Sequence, residues 1–97
     1  MEKYDDCIIN KKDQIAEISF NPDNLESLQD IVFLQFSVKQ NDTVKKGDRL
    51  LVLESMKGTS ELESKIAGKI VEINKDLEKN PEILNKRPTT WLVKIKI

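Results

Sequence analysis

Short alternations of apolar and polar residues, typical of half-buried β-strands, run through most of this chain. Residues 7–9 and 14–20 flank a polar turn at residues 10–13, which predicts a first hairpin. The pattern is clearest at the C-terminus, where every second residue from Trp91 to Ile97 is apolar. We expect that segment to be a core strand with one buried face. Further strands are expected at residues 30–38 (mostly buried), 49–54, 59–66 and 69–73, with a turn at residues 44–48.

Two short helices are expected between these strands. Asn21 followed by Pro22 suits a helix N-cap and first helical position, and Leu25 with Leu28 would give that helix one apolar side. We expect it to cover one opening of a barrel. The Asn-Pro pair at residues 80–81 predicts a second helix start. The strand spacing favours a small barrel or sandwich, and periodicity alone does not decide between the two.

Length and charge limit the classes of function. The chain has 97 residues, so we expect a single domain spanning residues 1–97. Its formal net charge is −1 with acids and bases interspersed, which argues against nucleic-acid binding. The apolar runs are far shorter than the roughly twenty residues of a membrane-spanning helix, and the charged N-terminus does not resemble a signal peptide. We therefore expect a cytoplasmic protein that binds no membrane.

The chain is poor in residues that perform catalysis by themselves. It has no histidine, and Cys7 is its only cysteine, so it can form neither an internal disulfide nor a thiolate cluster that holds a metal. We expect Cys7 to be a buried strand residue rather than a reactive thiol. The neighbouring carboxylates Asp5 and Asp6 fit a solvated surface. The composition therefore predicts a protein that is not an enzyme in isolation, with no metal site.

One lysine sits where a strand ends in a turn. The apolar run at residues 50–53 stops at Glu54, and Ser55, Met56, Lys57 and Gly58 follow. Glycine permits the backbone that a tight hairpin turn requires, so Lys57 is expected at a hairpin tip. That position suits a lysine that another enzyme modifies. An ordinary solvated turn lysine is the plainer interpretation.

Several spaced segments resemble the lipoyl-carrier H protein of the glycine cleavage system. Residues 54–57 read ESMK and are followed by IAGKIVEIN at residues 66–74. Upstream, residues 30–34 (DIVFL) and 41–48 (NDTVKKGD) match at the family's distance from the lysine. Downstream, the matching segments are NPEILN at residues 80–85 and WLVKIK at residues 91–96. Agreement among separate motifs is far more specific than any one of them.

The resemblance implies a flattened β-barrel or sandwich of two antiparallel sheets, of the biotinyl/lipoyl type. It also implies lipoate attached to Lys57 by a lipoate–protein ligase or lipoyltransferase, with Glu54, Ser55, Met56 and Gly58 forming the turn that this enzyme recognises. The full family role implies exchange with glycine decarboxylase, aminomethyltransferase and dihydrolipoyl dehydrogenase. Short H-like members imply a second role in lipoate relay, linked in some bacteria to ADP-ribosylation by sirtuin and macrodomain enzymes. The chain is expected to be a monomer.

The sequence departs from the H-protein motifs at three places, and two other functions are considered besides lipoyl carriage. The chain has no counterpart of the family's N-terminal HEW motif, Gly58 replaces the usual alanine after the lysine, and Gln29 replaces a glycine before Asp30. A biotin carrier is one alternative, although Gly58 stands where that family has a second methionine. An unmodified small barrel that binds other proteins is the other.

Residues considered as acceptors of a regulatory modification are Asp23, Glu26 and Asp30.

Overall fold

A computed structural model describes residues 1–23 and 30–97 of the chain. These residues form mainly β-structure, with two short helices near the C-terminal strand. The strands are β1 Glu2–Lys3, β2 Cys7–Lys12, β3 Ile15–Phe20, β4 Ile31–Phe36, β5 Thr43–Val44, β6 Arg49–Ser55, β7 Gly58–Glu63, β8 Gly68–Ile73 and β9 Trp91–Lys96, and the helices are α1 Asp76–Lys79 and α2 Ile83–Lys86.

The strands build two antiparallel sheets. The larger sheet has the order β1-β2-β3-β9-β8-β5, and the smaller one has the order β4-β6-β7. The buried residues of both sheets belong to one apolar cluster, which also includes Leu77 of α1 and Leu84 of α2. This arrangement confirms the predicted fold class, a flattened sandwich of two antiparallel sheets with a lysine at a hairpin tip.

The first hairpin is longer than the sequence predicted. β2 continues through Lys12 and pairs with Ile15 of β3, so only Asp13 and Gln14 form the turn. Both turn residues have positive φ, of 53° and 68°, as two-residue hairpin turns with right-handed twist require. The predicted turn at residues 10–13 is therefore wrong. Residues 10–12 lie at the exposed end of β2, and their polar composition resembles that of a loop.

A bulge changes which residues of β4 are buried. Ile31 pairs with Ser55 and Phe33 with Glu54, so Val32 is an extra residue between them. Val32 and Phe33 are both exposed, whereas Leu34 is buried. The prediction of a mostly buried strand at residues 30–38 is therefore wrong, because a bulge re-aims side chains that strict alternation would turn inward.

The C-terminal strand contains a second irregularity of this kind. Ile18 pairs with Val93 and Ser19 with Trp91, which leaves Leu92 without an opposite residue in β3. Leu92 and Val93 are consequently both buried. Ile97 lies beyond the strand and is 45% exposed, so its predicted place on the buried face is wrong. The expectation that this segment is a core strand is confirmed.

The helices are short, and one prediction about them lies outside the described residues. The second predicted start is confirmed, because α2 begins at Ile83, soon after Pro81, whereas α1 was not predicted. The first predicted helix, with Leu25 and Leu28, falls on residues 24–29. Within residues 1–23 and 30–97, no helix is long and apolar enough to cross a membrane.

Candidate functional site

Lys57 lies at the tip of the hairpin that joins β6 and β7. Ser55 ends β6 and pairs with Gly58 at the start of β7, so Met56 and Lys57 alone form the turn. Lys57 is exposed, and Met56 is 75% exposed. The remainder of the hairpin is anchored by Leu51, Leu53 and Leu62, which are buried. A flexible amine therefore projects from a stiff support.

The Ser55 side chain stabilises this turn. Its Oγ accepts a hydrogen bond of 3.2 Å from the backbone N–H of Lys57 and donates one of 3.4 Å to the carbonyl oxygen of Gly58. Such short-range bonds from serine are a common way to satisfy turn backbone. Gly58 has φ +136°, a conformation that side-chain-bearing residues rarely adopt. These two residues fix the path of the chain around Lys57.

The turn is also attached to the start of β4. The backbone N–H of Met56 donates to the carbonyl oxygen of Asp30 at 3.2 Å, and Asp30 itself has φ 56°. This contact brings Val32 and Phe33 to the same end of the sheet as Met56. All three apolar side chains are substantially exposed, at 58%, 42% and 75% respectively. The lysine therefore stands beside an exposed apolar group that sequence reasoning did not identify, because only the bulge turns Val32 and Phe33 outward together.

Carboxylates dominate the surface of the small sheet near Lys57. Glu54 lies between Phe33 and Thr59 in the register, on the solvent face of the sheet. Glu61 and Glu63 are exposed on β7, and Glu61 contacts the guanidinium of Arg49 at 3.7 Å. From Leu50 to Ser64, Lys57 is the only basic residue among three glutamates. Of these glutamates, Glu54 lies closest to the turn in the register, whereas Glu61 and Glu63 lie toward the Arg49 end of β7.

The other chemically notable group, the Cys7 thiol, lies in the core on β2 of the larger sheet. Cys7 is 1% exposed, and burial, reinforced by the Asp6 carboxylate, raises the pKa of its thiol to about 12. Asp6 forms an ion pair of 3.2 Å with Lys65. The expectation that Cys7 is a buried strand residue is confirmed. Among the described residues, no group of histidine, cysteine, aspartate and glutamate is arranged to hold a metal ion.

The acidic residues considered for regulatory modification fall in different places. Asp30 is exposed and adjoins the Lys57 turn through its carbonyl oxygen. Asp23 is exposed, and its carboxylate lies 3.9 Å from the amine of Lys3. Glu26 lies outside the described residues.

Known proteins resemble the chain along almost its whole length. A family model described as "Glycine cleavage H-protein" matches residues 2–97. The "Probable glycine cleavage system H protein" of Picrophilus torridus is 38% identical over 84 residues, which cover 86% of this chain and 67% of that protein. The "Glycine cleavage system H protein" of Staphylococcus epidermidis is 39% identical over 88 residues, which cover 89% and 69%.

A solved structure agrees with these sequence matches. The crystal structure of a glycine cleavage system H protein from Mycobacterium marinum superimposes with a TM-score of 0.82 at 25% sequence identity. The match covers 97% of this chain and 80% of that one. The similarity therefore extends to both sheets and is not confined to the motifs around the lysine.

Proposed function

This chain belongs to the glycine cleavage H-protein family, and on that premise we propose that it carries lipoate, joined by an amide bond to the side-chain amine of Lys57. The observation that supports this most strongly is the exposure of Lys57 in a two-residue turn, on a hairpin whose strands are anchored in the core. Membership of the family confirms the resemblance seen in the sequence. H proteins are carriers and not catalysts, which confirms that the chain is not an enzyme in isolation.

The chemistry of attachment needs only an accessible amine. A lysine amine is mostly protonated at neutral pH, so the modifying ligase must remove a proton before the amine can attack. The nitrogen then attacks the carbonyl carbon of a lipoyl adenylate. A C–N bond forms, the C–O bond to the phosphate breaks, and AMP leaves. The dithiolane of the attached group supplies the redox and group-carrying chemistry, which this chain's own side chains do not offer.

The residues around Lys57 have separate roles in this proposal. Ser55 and Gly58 hold the turn through the hydrogen bonds and the positive φ described above. Glu54 and Met56 offer the ligase one charged and one apolar contact beside the amine. The ligase thus selects Lys57 by its place in a folded hairpin between Glu54, Met56 and Gly58.

Mass spectrometry of the intact chain tests the proposal. After incubation with a lipoate–protein ligase, lipoate and ATP, we expect the wild-type chain to gain the mass of one lipoyl group. Lys57→Arg keeps the charge but cannot form the same amide, so we expect it to gain none. A matched control is Lys69→Arg, at another exposed lysine, which should be modified like the wild type. Uptake by Lys57→Arg equal to that of the wild type would contradict the proposal.

The same measurement separates the alternatives. With a biotin ligase, biotin and ATP in place of the lipoate reagents, a biotin-sized gain at Lys57 would favour a biotin carrier. No gain with either ligase would favour a barrel that binds other proteins without modification.

Two roles for the lipoylated chain are compatible with the family. In the first, it exchanges the lipoyl-bound group with glycine decarboxylase, aminomethyltransferase and dihydrolipoyl dehydrogenase. In the second, it donates the lipoyl group to other carriers, under regulation by ADP-ribosylation with sirtuin and macrodomain partners. Support of glycine decarboxylation by the lipoylated chain would establish the first role. Transfer of the lipoyl group from Lys57 to a second lipoyl domain, catalysed by a lipoyltransferase, would establish the second.

A further inference from the structure

The outer edges of the two sheets differ in how they are protected. A β-strand at the edge of a sheet exposes backbone N–H and C=O groups that another strand can pair with, and proteins usually shorten or cover such edges. The larger sheet ends in β1 and β5, which have two residues each. At β4, one edge of the smaller sheet, side chains accept two backbone N–H groups: Glu78 of α1 accepts the N–H of Phe36, and Asn85 of α2 accepts the N–H of Ile31.

The remaining edge, β7, is six residues long and begins next to Lys57. Ser55 and Gly58 flank a two-residue turn and form a hydrogen-bonded pair, so alternate residues of β7 point their backbone groups away from β6. These residues are Thr59, Glu61 and Glu63. Within residues 1–23 and 30–97, no acceptor bonds to their N–H groups. The edge ends at Ser64, whose N–H donates to the carbonyl oxygen of Asp48.

The side chains on this edge specify the charge of an occupant. Thr59 and Glu61 have their side chains on the solvent face of the sheet, opposite Glu54 and Val52, and Glu63 is exposed beyond them. An antiparallel strand added to β7 would place its own residues opposite Glu61 and Glu63, two positions apart, on that same face. Lysine or arginine at those positions would make favourable cross-strand pairs. The contact between Arg49 and Glu61 does not prevent this, because exposed ion pairs are weak and exchange easily.

A second copy of this chain does not fit the edge. Two β7 strands related by a two-fold axis would bring the glutamates of one copy close to those of the other. Like charges on opposed strands are destabilising, and charged edge residues are a known device against self-association. The β7 edge thus disfavours pairing with a second copy of β7 but can pair with a strand that carries positive charge.

We propose that the enzyme that modifies Lys57 adds an extended segment, with basic residues at alternate positions, to the free edge of β7. The inference rests on the proposed lipoylation of Lys57. Pairing along β7 holds the hairpin in one orientation and brings the turn, which directly precedes Gly58, to the enzyme's active site. It also gives the enzyme a means of choosing a lysine by backbone geometry rather than by side chains alone.

Substitution by proline tests this pairing without breaking the hairpin. Glu61→Pro removes one outward N–H, and proline is tolerated on an edge strand where the N–H faces away from the sheet. The matched control is Glu61→Gln, which removes the charge but keeps the N–H. We expect kcat/KM for lipoate attachment to fall by about tenfold or more in Glu61→Pro, mainly because KM rises. A change of that size corresponds to the loss of one or two hydrogen bonds. In Glu61→Gln, kcat/KM should fall by only about two- to fivefold, and it should depend less on salt concentration than in the wild type.

Amide hydrogen exchange of the wild-type chain gives a second readout that needs no substitution. On addition of the ligase without ATP, we expect the amides of Thr59, Glu61 and Glu63 to exchange more slowly, while amides in the remote turn at Asp13 and Gln14 keep their rates. Unchanged exchange at β7, or equal kcat/KM for wild type and a folded Glu61→Pro, would overturn the pairing. If the wild type takes up no lipoyl group, the proposed function fails as well. Normal uptake together with unchanged exchange at β7, or with unchanged kcat/KM in Glu61→Pro, refutes this inference alone.

Discussion

At the scale of single residues, exposure separates the two most nucleophilic kinds of side chain in this protein. The Lys57 amine is outside the fold on a two-residue turn, whereas the Cys7 thiol is 1% exposed. The thiolate, not the thiol, is the reactive form of cysteine, and a pKa of about 12 leaves almost none of it at neutral pH. The fold therefore leaves the Lys57 amine accessible to a modifying enzyme and makes the sulfur inaccessible.

Cys7 should be inert toward alkylating reagents until the chain unfolds. We expect no reaction of native protein with a thiol reagent at pH 8 and complete reaction in denaturing guanidinium, measured by absorbance or mass. Rapid labelling of the native chain would show that Cys7 is accessible.

The same thiol makes stability depend on alkaline pH. An unfolded cysteine ionises near pH 8.5 and the folded one near pH 12, so ionisation favours the unfolded state between these values. The free energy of unfolding should fall as pH rises through this window, and more steeply than in Cys7→Ala. Part of the slope should remain in that variant, because hydrogen bonding to Glu2 also raises the pKa of Tyr4 and of Lys11. Equal slopes in urea titrations of the two proteins would contradict this account.

At the scale of secondary-structure elements, close backbone packing fixes how β8 lies on β9. A Cβ atom built on Gly68 would clash with the carbonyl oxygen of Lys96 and lie 2.6 Å from Cγ2 of Ile95. The neighbouring strand backbone cannot yield as a flexible side chain can. Glycine is therefore required at this position for steric reasons.

Gly68→Ala should weaken the larger sheet. We expect a loss of about 1–3 kcal/mol in the free energy of unfolding, the usual cost of overpacking a filled interior. Lys69→Ala, at the next and exposed position of β8, should change it by less than about 0.5 kcal/mol. Urea titration of the two variants and the wild type measures both effects. A Gly68→Ala variant as stable as Lys69→Ala would show that the strands separate easily.

The elements also show what alternation can and cannot predict. The hairpin carrying Lys57 was predictable, because its apolar strand, its glycine and its short turn are all local signals. Bulges are not local signals, since an extra residue is defined only by the strand opposite. For that reason the exposure of Phe33 and the burial of Leu92 could not be predicted from the sequence, nor could the exposed apolar group beside Lys57. The free edge of β7 likewise follows from strand order, which no single segment encodes.

At the scale of the whole molecule, the proposed attachment site is separate from the core that stabilises the fold. The core lies between the sheets, and its fully buried side chains include Leu51, Leu53 and Leu62 of the hairpin's strands. Lys57 takes part in no ion pair among the described residues. We therefore expect that attaching a group to this amine leaves the fold undisturbed.

Changes at Lys57 should leave stability unaltered. We expect Lys57→Arg and the lipoylated chain to unfold in urea with free energies within about 0.5 kcal/mol of the unmodified wild type, as for other surface changes. Lipoylation should nevertheless make the formal net charge one unit more negative than −1, and so increase mobility toward the anode on a native gel. A destabilisation above about 1 kcal/mol would mean that the lysine contributes to the fold itself.

The most direct test of the central claim is to locate the modification within the chain. Cleavage after glutamate releases residues 55–61, a peptide in which Lys57 is the only lysine. After treatment with a lipoate–protein ligase, lipoate and ATP, mass spectrometry of the digest should find one lipoyl group, on this peptide alone. A lipoyl group on another lysine, or an unmodified peptide from chain that the ligase has treated to completion, would contradict the account.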